Sequence, residues 1–283
     1  MSTRPKIAVL MTCHNRRAVT LKCLESLKAA RNDAFELDVY LVDDGSSDGT
    51  GDAAAAAYPG LRLLRGDGSL FWCGGMRAAW SAALQEPHDF YLWLNDDTEL
   101  ERDSLVNLLN AYREFEGEAH GRVIVVGRIV DARTERTAYG GYLRRNGLSR
   151  LRFRHLQPGE RFCDAMNGNC VLTPACAVRD VGLLSRKFRH GHGDLDYGLR
   201  AKSRGYRIVQ VEQPVAYGER NIAYEDKQSQ LTLSNYKFIL TNPKGLRPAE
   251  WYVFCRRHAG WMWPLNFAFR YVKMAAFPER LLK

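Results

Sequence analysis

The amino-acid sequence predicts an α/β protein built on one mostly parallel sheet flanked by helices. Short apolar runs alternate with segments of helical spacing through the first half of the chain, and this alternation is typical of parallel sheets. Several of the apolar runs also end in clusters of polar residues. Ligands of open α/β sheets bind at the carboxyl ends of the strands. The same pattern therefore predicts where a functional site lies.

The first two predicted strands each lead into a helix. KIAVLMTCHN is the first strand, and the helix after it, RAVTLKCLESLKAA, repeats Val19, Leu21, Leu24 and Leu27 at helical spacing. FELDVYLVDDGSSDGT is the second strand, which stops at a dense cluster of turn formers. The alanine-rich segment TGDAAAAAY predicts the next helix.

Two more strand–helix pairs follow. LRLLRGD predicts a third, shorter strand, and the helix after it is expected to open on the glycines of GGMRAAWSAALQE. DFYLWLNDD predicts the fourth strand. The helix after that strand, TELERDSLVNLLNAYREF, is expected to carry acidic residues in its first turn.

From about residue 121 the regular alternation ends. RVIVVGRIVD predicts another strand, YGGYLRRNGLSRL a hairpin, and NGNCVLTPACAVRDVGLL a strand with a short helix. DLDYGLRAKSRGYRIVQV predicts a helix that ends at Gly205 and then a strand. Residues 219–250 have a helical pattern with a loop at TNPKGLRP.

The composition is that of a globular protein with a basic surface. Of 283 residues, 46% are hydrophobic and 26% charged, and the net charge is +9. Such a charge suits an anionic partner, although a merely soluble basic surface explains it as well. Seven scattered cysteines without a C-x-x-C pair indicate buried, reduced thiols, a cytoplasmic location and no zinc site. No apolar run is long enough to span a membrane.

Polar residues follow three of the predicted strands, at Thr12–Asn15, Asp43–Asp48 and Asn95–Asp97. Three such strand ends together are less expected by chance than DDGSSDG alone, which a plain turn would explain. Adjacent carboxylates near an anionic ligand need a cation, and oxygen ligands with substrate phosphates suit Mg²⁺ or Mn²⁺. No Walker A loop is present, and no G-x-G-x-x-G follows the first strand. The sequence therefore predicts a metal-bound diphosphate held without such a loop.

Five segments, in this order and spacing, resemble family 2 glycosyltransferases: VLMTCHNR, LVDDGSSDGT, GGMRAAW, WLNDDTEL and GHGDLDYGLRAKSRGY. The resemblance covers about residues 5–215 and is nearest to bacterial rhamnosyltransferase-like enzymes that build surface polysaccharides. GDGSLFWCGGMRAAW is similar to a loop of small and aromatic residues that those enzymes carry before the third helix.

This resemblance implies the GT-A fold, with a single Rossmann-like sheet and a C-terminal helical extension. The implied catalytic domain is 1–218, with a nucleotide-binding half at about 1–120 and an acceptor half at about 121–218, and the extension is 219–283. The implied reaction is inverting and metal-dependent. It would move a hexosyl or deoxyhexosyl group from a UDP- or dTDP-linked sugar to a glycan or lipid-linked acceptor.

The resemblance also implies roles for the strand-end residues. Those implied to contact the nucleotide or the donor sugar are Thr12, Asn15, Asp44, Gly75 and Asp96. Asp44 would accept the imide hydrogen of a pyrimidine base, and Asp96 would approach the ribose or the sugar. Asp97 would bind the Mn²⁺ or Mg²⁺ that bridges the phosphates. Some relatives add a late histidine as a metal ligand, and the corresponding segment PVAYGERN has none.

The catalytic base is implied to lie in GHGDLDYGLR. Inverting transfer needs a carboxylate that takes the proton from the acceptor hydroxyl. Many relatives have Glu-Asp where this chain has Gly193–Asp194, so Asp194 and Asp196 are both candidates. We favour Asp194 because it occupies the aspartate of that pair. Asp196 is placed to cap the helix or to pair with Arg200 four residues on.

Four further residues are expected in the donor and acceptor cleft: Trp72, Asn167, Asn169 and His192. Trp72 is suited to stack on a sugar, and a position in the protein core would explain a tryptophan there equally well. A histidine is most often a surface or packing residue, but His190 and His192 together beside a base are suited to bind acceptor or phosphate.

The C-terminal segment Trp251–Lys283 is crowded with aromatic and basic side chains. Such a helical segment, broken by Pro264, suits a position in an anionic membrane interface, where a lipid-linked acceptor would be reached. Packing onto the catalytic domain or at a subunit interface is an equally good explanation.

Three other functions are less well supported. A sugar nucleotidyltransferase would need a glycine- and arginine-rich loop after the first strand, which TCHNRR does not supply. A degenerate transferase serving as a glycan- or partner-binding module would have no reason to keep Asp44, Asp97 and Asp194 together. A nucleic-acid binder is suggested by charge alone, without any recognisable reading motif.

Overall fold

The first half of the chain forms four strand–helix pairs, as predicted. A computed structural model describes residues 4–147, 149–218, 237, 240–245 and 247–276. Its first elements are β1 (Lys6–Cys13), α1 (Arg17–Ala29), β2 (Glu36–Asp43), α2 (Thr50–Ala57), β3 (Arg62–Arg65), α3 (Phe71–Ala83), β4 (Phe90–Leu94) and α4 (Ser104–Glu116).

The second half is richer in short strands. It contains β5 (Val123–Val130), β6 (Thr137–Tyr139), β7 (Gly141–Arg144), β8 (Phe153–His155), β9 (Phe162–Cys163), β10 (Ala165–Met166), β11 (Cys170–Pro174), α5 (Ala175–Val181), α6 (Gly193–Ser203), β12 (Arg207–Tyr217), α7 (Pro248–His258), a 3-10 turn (Gly260–Met262) and α8 (Trp263–Ala276).

The central sheet has the strand order β3-β2-β1-β4-β11-β5-β12-β9, with β6 paired to β5. The pairs β2–β3, β1–β2, β1–β4 and β5–β12 are parallel, so the predicted mostly parallel sheet is confirmed. Strand β11 runs antiparallel between β4 and β5. Strand β7 pairs with β8 and β10 in a separate small sheet, which contains the predicted hairpin.

Both faces of the central sheet are buried. Along β1, Ile7, Val9 and Met11 pack in one apolar cluster, and Ala8 and Leu10 pack in the cluster on the other side. Successive side chains of a strand point to opposite faces. Because both faces need apolar residues, β1 reads as a continuous apolar run rather than an alternating one.

The antiparallel strand β11 brings a distant loop to the end of β4. Cys170 is paired with Leu94, so the residues that precede β11 lie beside those that follow β4. The Asn95 N–H donates a hydrogen bond to the Asn169 carbonyl oxygen at 2.9 Å. The loop 167–169 therefore reaches the carboxyl edge of the parallel strands.

Two predicted helix starts are wrong. Helix α3 begins at Phe71, ahead of the glycines that were expected to open it. The segment GDGSLFWCGGMRAAW, residues 66–80, resembled a loop of related enzymes. Only its residues 66–70 lie outside the helix. Helix α4 begins at Ser104 and has no acidic residue in its first turn. The acidic residues lie in the preceding loop, where Leu100 forms an isolated β-bridge.

Helix α7 packs onto the rest of the protein. Trp251 and Phe254 are buried in one apolar cluster with Phe188 and Leu199, so part of the aromatic C-terminal segment packs inward. Most of the region predicted as helical at 219–250 lies outside the described residues. Among the described helices, none combines the length and the apolarity that crossing a membrane requires. All seven cysteines are free and six are buried.

Candidate active site

The loop after β1 is tied to the loop after β2. Asn15 has a φ of +49°, in the left-handed region that asparagine tolerates. Its side-chain oxygen accepts hydrogen bonds from the N–H and the hydroxyl of Ser47 at 2.7 and 3.2 Å. The Nδ1 of His14 lies 2.6 Å from the Asp44 carbonyl oxygen. These contacts hold the two strand-end loops side by side.

Thr12, near the end of β1, lies directly against Gly75 of α3. A Cβ on residue 75 would lie 2.1 Å from the Thr12 Oγ1, so the helix approaches the strand closely only because this residue has no side chain. The Cys73 N–H of the same helix donates to the Arg189 carbonyl oxygen at 2.9 Å. The start of α3 therefore joins the end of β1 to the loop before α6.

The buried carboxylate of Asp44 holds the start of α3. Its Oδ1 accepts hydrogen bonds from the N–H groups of Gly68 (2.9 Å) and Leu70 (3.3 Å), and its Oδ2 accepts one from Phe71 at 2.8 Å. A helix leaves its first N–H groups without partners, and negative charge is favourable there. An ionised carboxylate has about four acceptor positions, so Asp44 retains little capacity beyond this loop.

The two carboxylates after β4 share one cation. Arg16 places one guanidinium nitrogen 3.0 Å from the Asp96 Oδ1 and the other 2.9 Å from the Asp97 Oδ2. The Asp96 side chain is 7% exposed and that of Asp97 is 32% exposed. Burial raises the pKa of Asp96 to about 6; Arg16 opposes this effect, and the Asp97 charge adds to it. Asp97 is thus the member of the pair that a ligand reaches.

The acidic pair fits a divalent cation. Mg²⁺ in proteins is commonly held by one or two carboxylates together with substrate phosphates. The Asp96 and Asp97 carboxylates already hold one cation, the guanidinium of Arg16. A metal ion on Asp97 would compete with Arg16 for that carboxylate.

A second acidic group lies at the opposite end of the strands. Asp38, Glu86 and His88 form the one set of three ligand side chains found within 4.8 Å of one another in the described part of the chain. Lys6 lies 2.7 Å from the Asp38 carboxylate, and Arg62 pairs with Glu86. Because the strand-end loops lie at the other edge of the sheet, this group is away from the place expected for a metal diphosphate.

Trp72 lies between the loop after β4 and the loop before β11. Its Nε1–H donates a hydrogen bond to the Asn95 Oδ1 at 2.7 Å, and its ring meets Trp93 edge-on at 6.0 Å. A Cβ on Gly168 would lie 2.5 Å from the Trp72 ring. Trp72 is partly exposed, so it is neither a fully buried core residue nor a free surface one.

Asp194 lies next to this tryptophan, in the first turn of α6. Its Oδ2 accepts a hydrogen bond from the Gly168 N–H at 3.0 Å, and its Oδ1 accepts one from the Leu195 N–H at 2.8 Å. Burial raises the pKa of Asp194, and these two hydrogen bonds oppose the rise. A continuous set of contacts therefore connects the loop after β4 to Asp194, through Asn95, Trp72 and Gly168.

The close approach at Gly168 yields a prediction. Gly168→Ala should lower the rate of the catalysed reaction by about ten- to a hundredfold, because the added methyl group displaces Trp72 beside Asp194 and small misplacements are costly in catalysis. Gly191→Ala is the matched control, since a Cβ at that position meets nothing within 4 Å. Equal activity of the two variants, both folded by circular dichroism, would contradict this placement.

Asp196, the other candidate base, is fully buried in an ion-pair network. Its carboxylate lies 2.9 Å from Arg200, 2.9 Å from Arg257 and 2.9 Å from the Nε2 of His258. Burial raises the pKa of Asp196, but the hydrogen bond from His258 and the two arginines outweigh it and lower the pKa. The pairing with Arg200 is the one that the i, i+4 spacing predicts. Asp196 thus connects α6 to α7.

We expect Asp196→Ala to destabilise the fold rather than to act on the chemistry. Removing one partner of a buried ion pair leaves uncompensated charge and costs about 3 kcal/mol, at the lower end of the usual range because both arginines are partly exposed. Urea unfolding measures the loss. Asp52→Ala is the control, because its side chain is 77% exposed beside Arg65 and surface pairs contribute about 1 kcal/mol or less. Equal stability of the two variants would argue against a structural role for Asp196.

His192 lies among aromatic rings. Its ring centroid is 5.4 Å from that of Trp251 and 5.0 Å from that of Phe254. Burial lowers the pKa of His192 to about 3, and Arg270 adds to the effect. The imidazole is therefore neutral near pH 7. Its surroundings favour packing over the binding of an acceptor or a phosphate.

The other predicted cleft residues are at the strand ends. Asn167 accepts a hydrogen bond from the Asn169 N–H at 3.2 Å through its side-chain oxygen. Both belong to the loop that β11 brings beside Asn95. Two contributors were not predicted from the sequence: Arg16 and Gly168. Asn95 was predicted as part of the strand end Asn95–Asp97, without a role of its own. The only signal for Arg16 was its place in HNRR, directly after the first strand.

The mostly parallel central sheet with its flanking helices is consistent with the GT-A fold. The chain belongs to glycosyltransferase family 2, because the family model described as Glycosyl transferase family 2 matches residues 8–181, more than half of the chain. This match confirms the resemblance to family 2 seen in the sequence. No curated protein shows a significant sequence match.

Solved structures of similar fold include a mannosyltransferase and TarS. The mannosyltransferase PcManGT from Pyrobaculum calidifontis, in complex with GDP-Man and Mn²⁺, has a TM-score of 0.54 at 13% identity, covering 99% of this chain and 83% of that one. TarS 1-349 of S. aureus with UDP-GlcNAc has a TM-score of 0.52 at 15% identity, covering 83% and 67%. A second structure of TarS 1-349 has a TM-score of 0.54 at 16% identity, covering 96% and 74%. At these identities the likeness concerns the fold.

Proposed function

We propose that the protein is an inverting, metal-dependent glycosyltransferase that moves a sugar from a nucleoside diphosphate to a glycan or lipid-linked acceptor. The observation that carries this proposal is the set of contacts at one edge of the sheet that joins the acidic pair after β4 to Asp194. In a nucleotide-sugar donor the diphosphate lies close to the anomeric carbon. Such a donor would need the acidic pair near its diphosphate and Asp194 near its anomeric carbon. The mannosyltransferase and TarS complexes, which hold GDP-Man and UDP-GlcNAc, support this class of donor.

The nucleotide would lie over the loops after β1 and β2. Thr12 and Asn15 line this edge, and Gly75 permits the close approach of α3. Asp44 positions the loop 68–71 and has roughly one acceptor position left for a base N–H. Loss of the Asp44 carboxylate would therefore disturb the base site through the loop as well as directly.

The diphosphate would lie at Asp97, the more exposed member of the acidic pair. Asp97 would hold Mn²⁺ or Mg²⁺, and the bound ion would neutralise charge on the departing diphosphate. Asp96, which is buried and bonded to Arg16 and Thr20, would fix the loop and approach the ribose or the donor sugar. Arg16, once released from Asp97, would have one guanidinium nitrogen free to pair with a phosphate while the other stays on Asp96.

Asp194 would act as the general base. It would take the proton of the acceptor hydroxyl while that oxygen bonds to the anomeric carbon, on the face opposite the nucleotide. The bond from the anomeric carbon to the phosphate oxygen breaks in the same step, and the nucleoside diphosphate leaves with the bonding electrons. The raised pKa of Asp194 makes its carboxylate a stronger base than an ordinary aspartate.

Trp72, Asn167 and Asn169 would form the wall between donor and acceptor. The partly exposed ring of Trp72 next to Asp194 is suited to stack on a sugar. The acceptor class we propose is a growing surface polysaccharide or its lipid-linked precursor, reached from the cytoplasm. The division into a catalytic domain at 1–218 and an extension at 219–283 stays a prediction.

A thermal-shift screen of nucleotide-sugars tests this function. UDP-, dTDP- and GDP-linked sugars would each be added with Mn²⁺ or with EDTA. We expect one donor class to raise the melting temperature in Mn²⁺ and to lose most of that effect in EDTA. Failure of every donor, with the protein folded, would count against a nucleotide-sugar transferase.

A further inference from the structure

The 3-10 turn and helix α8 turn an apolar face to solvent. Trp261 is 84% exposed, Leu265 61%, Phe269 68% and Val272 61%. The other exposed positions between 261 and 272 are Pro264 and Ala268. A surface helix normally directs its polar residues outward and its apolar residues inward. Here the outward face, which we call the apolar stripe, consists of these six residues.

The inner face of α8 is firmly attached to the protein. Phe267 and Tyr271 pack against the aromatic cluster of α7. The Arg270 guanidinium lies 3.6 Å from the ring centroid of Trp251, and the Ser149 hydroxyl donates a hydrogen bond to the Asn266 side-chain oxygen. The side chains of Asn266 and Arg270 are therefore used inward, and the orientation of the helix leaves the apolar stripe outside.

A basic hairpin borders the apolar stripe. The loop between β7 and β8 carries Arg145, Arg150 and Arg152, all exposed. Arg150 reaches the backbone at the start of the 3-10 turn, since a Cβ on Gly260 would lie 3.3 Å from its guanidinium. Exposed apolar residues and arginines thus occur side by side on one part of the surface.

We propose that this surface docks on an anionic phospholipid bilayer, with the apolar stripe in the interface and the hairpin arginines at the headgroups. Contiguous exposed apolar patches of this kind mark interaction sites. Aromatic and aliphatic side chains beside cations match a bilayer interface with negative headgroups. A second copy of the chain would bring its own arginines against these, and like charges disfavour that contact. This docking proposal does not depend on the proposed sugar transfer, although a lipid-linked acceptor would give membrane docking a purpose.

Vesicle flotation of the full chain, without donor or acceptor, tests this proposal. We expect the protein to float at low salt with vesicles containing about 30 mol% phosphatidylglycerol and to bind pure phosphatidylcholine vesicles at least about tenfold more weakly. Leu265→Glu should lower the partition coefficient at least about tenfold, because it places a charge in the apolar stripe that the bilayer would bury. The matched control is Leu84→Glu, an equally drastic change at a residue 39% exposed at the end of α3, and it should bind normally.

A second pair of measurements keeps the outcomes separate. If Leu265→Glu is unstable, Trp261→Ser in the 3-10 turn takes its place and should show the same loss of vesicle binding. The double variant Arg145→Ser, Arg152→Ser should float less and show a smaller dependence of flotation on salt. The shift in melting temperature that the donor causes should stay unchanged. The proposal is wrong if the wild type does not float, if Leu265→Glu and Leu84→Glu bind alike, or if light scattering finds a dimer that Leu265→Glu dissociates.

Discussion

Asp194→Asn should lower the rate of sugar transfer by about two to four orders of magnitude while leaving donor affinity within about twofold. Asparagine keeps the shape of the side chain, and its single oxygen can still accept the Gly168 N–H while the hydrogen bond from the Leu195 N–H is given up, so the loop stays in place. It cannot take the acceptor proton. Release of nucleoside diphosphate under single-turnover conditions measures the first quantity, and calorimetric titration with the donor measures the second.

The pH dependence adds an independent check on Asp194. The base must be deprotonated to act, and burial raises its pKa. The rate should therefore fall as the pH falls through this raised pKa, at a higher pH than for an ordinary aspartate. The part of the acid limb that belongs to Asp194 should be absent in Asp194→Asn. An inactive but folded Asp196→Asn, together with an active Asp194→Asn, would assign the base to Asp196 instead.

Asp97→Ala should abolish metal-dependent donor binding and lower turnover at least about a thousandfold. The loss is large because a cation that bridges phosphates contributes several kcal/mol to stabilising the transition state. Arg16 keeps its contact with Asp96 at 3.0 Å, so the fold should be preserved. Calorimetric titration of nucleoside diphosphate with and without Mn²⁺ measures the coupling between metal and nucleotide.

Glu99→Ala is the matched control for Asp97→Ala. Glu99 is an exposed carboxylate in the same loop, and its loss changes the local charge equally. We expect its metal dependence to equal that of the wild type. Normal turnover of Asp97→Ala in Mn²⁺, or the same loss in both variants, would remove Asp97 from the metal site.

The parallel half of the fold was predictable because its signals are local. Strands β1, β2 and β4 contain buried apolar runs, and α1 shows helical spacing of its own. Both β1 and α1 can therefore be read without knowing their neighbours. The direction of β11 was not predictable. CVLTP reads as a strand in either direction, and only its pairing of Cys170 with Leu94 shows why Asn169 reaches the site.

The start of α3 shows a second limit of local signals. Glycines commonly mark helix ends, but here the helix begins at Phe71 because the Asp44 carboxylate accepts the N–H groups at its start. That carboxylate is remote in sequence and appears locally as part of a turn. The acidic residues before α4 gave a wrong predicted helix start for a similar reason, since the start of a helix depends on the backbone path of the loop before it.

The candidate site was predictable in its carboxylates and not in their partners. The pattern DDGS, NDD and GDLD picks out Asp44, Asp97 and Asp194. Nothing in the sequence predicts that Arg16 bridges Asp96 and Asp97, because such a contact depends on how one loop folds over another.

The most direct measurement of the central claim is the anomalous scattering of Mn²⁺ in crystals grown with the nucleoside diphosphate of the donor that binds. Mn²⁺ should lie about 2 Å from a carboxylate oxygen of Asp97, with the diphosphate at the carboxyl end of β4 and Arg16 turned away from Asp97. A manganese peak at Asp38, Glu86 and His88, at the opposite end of the strands, would contradict the account.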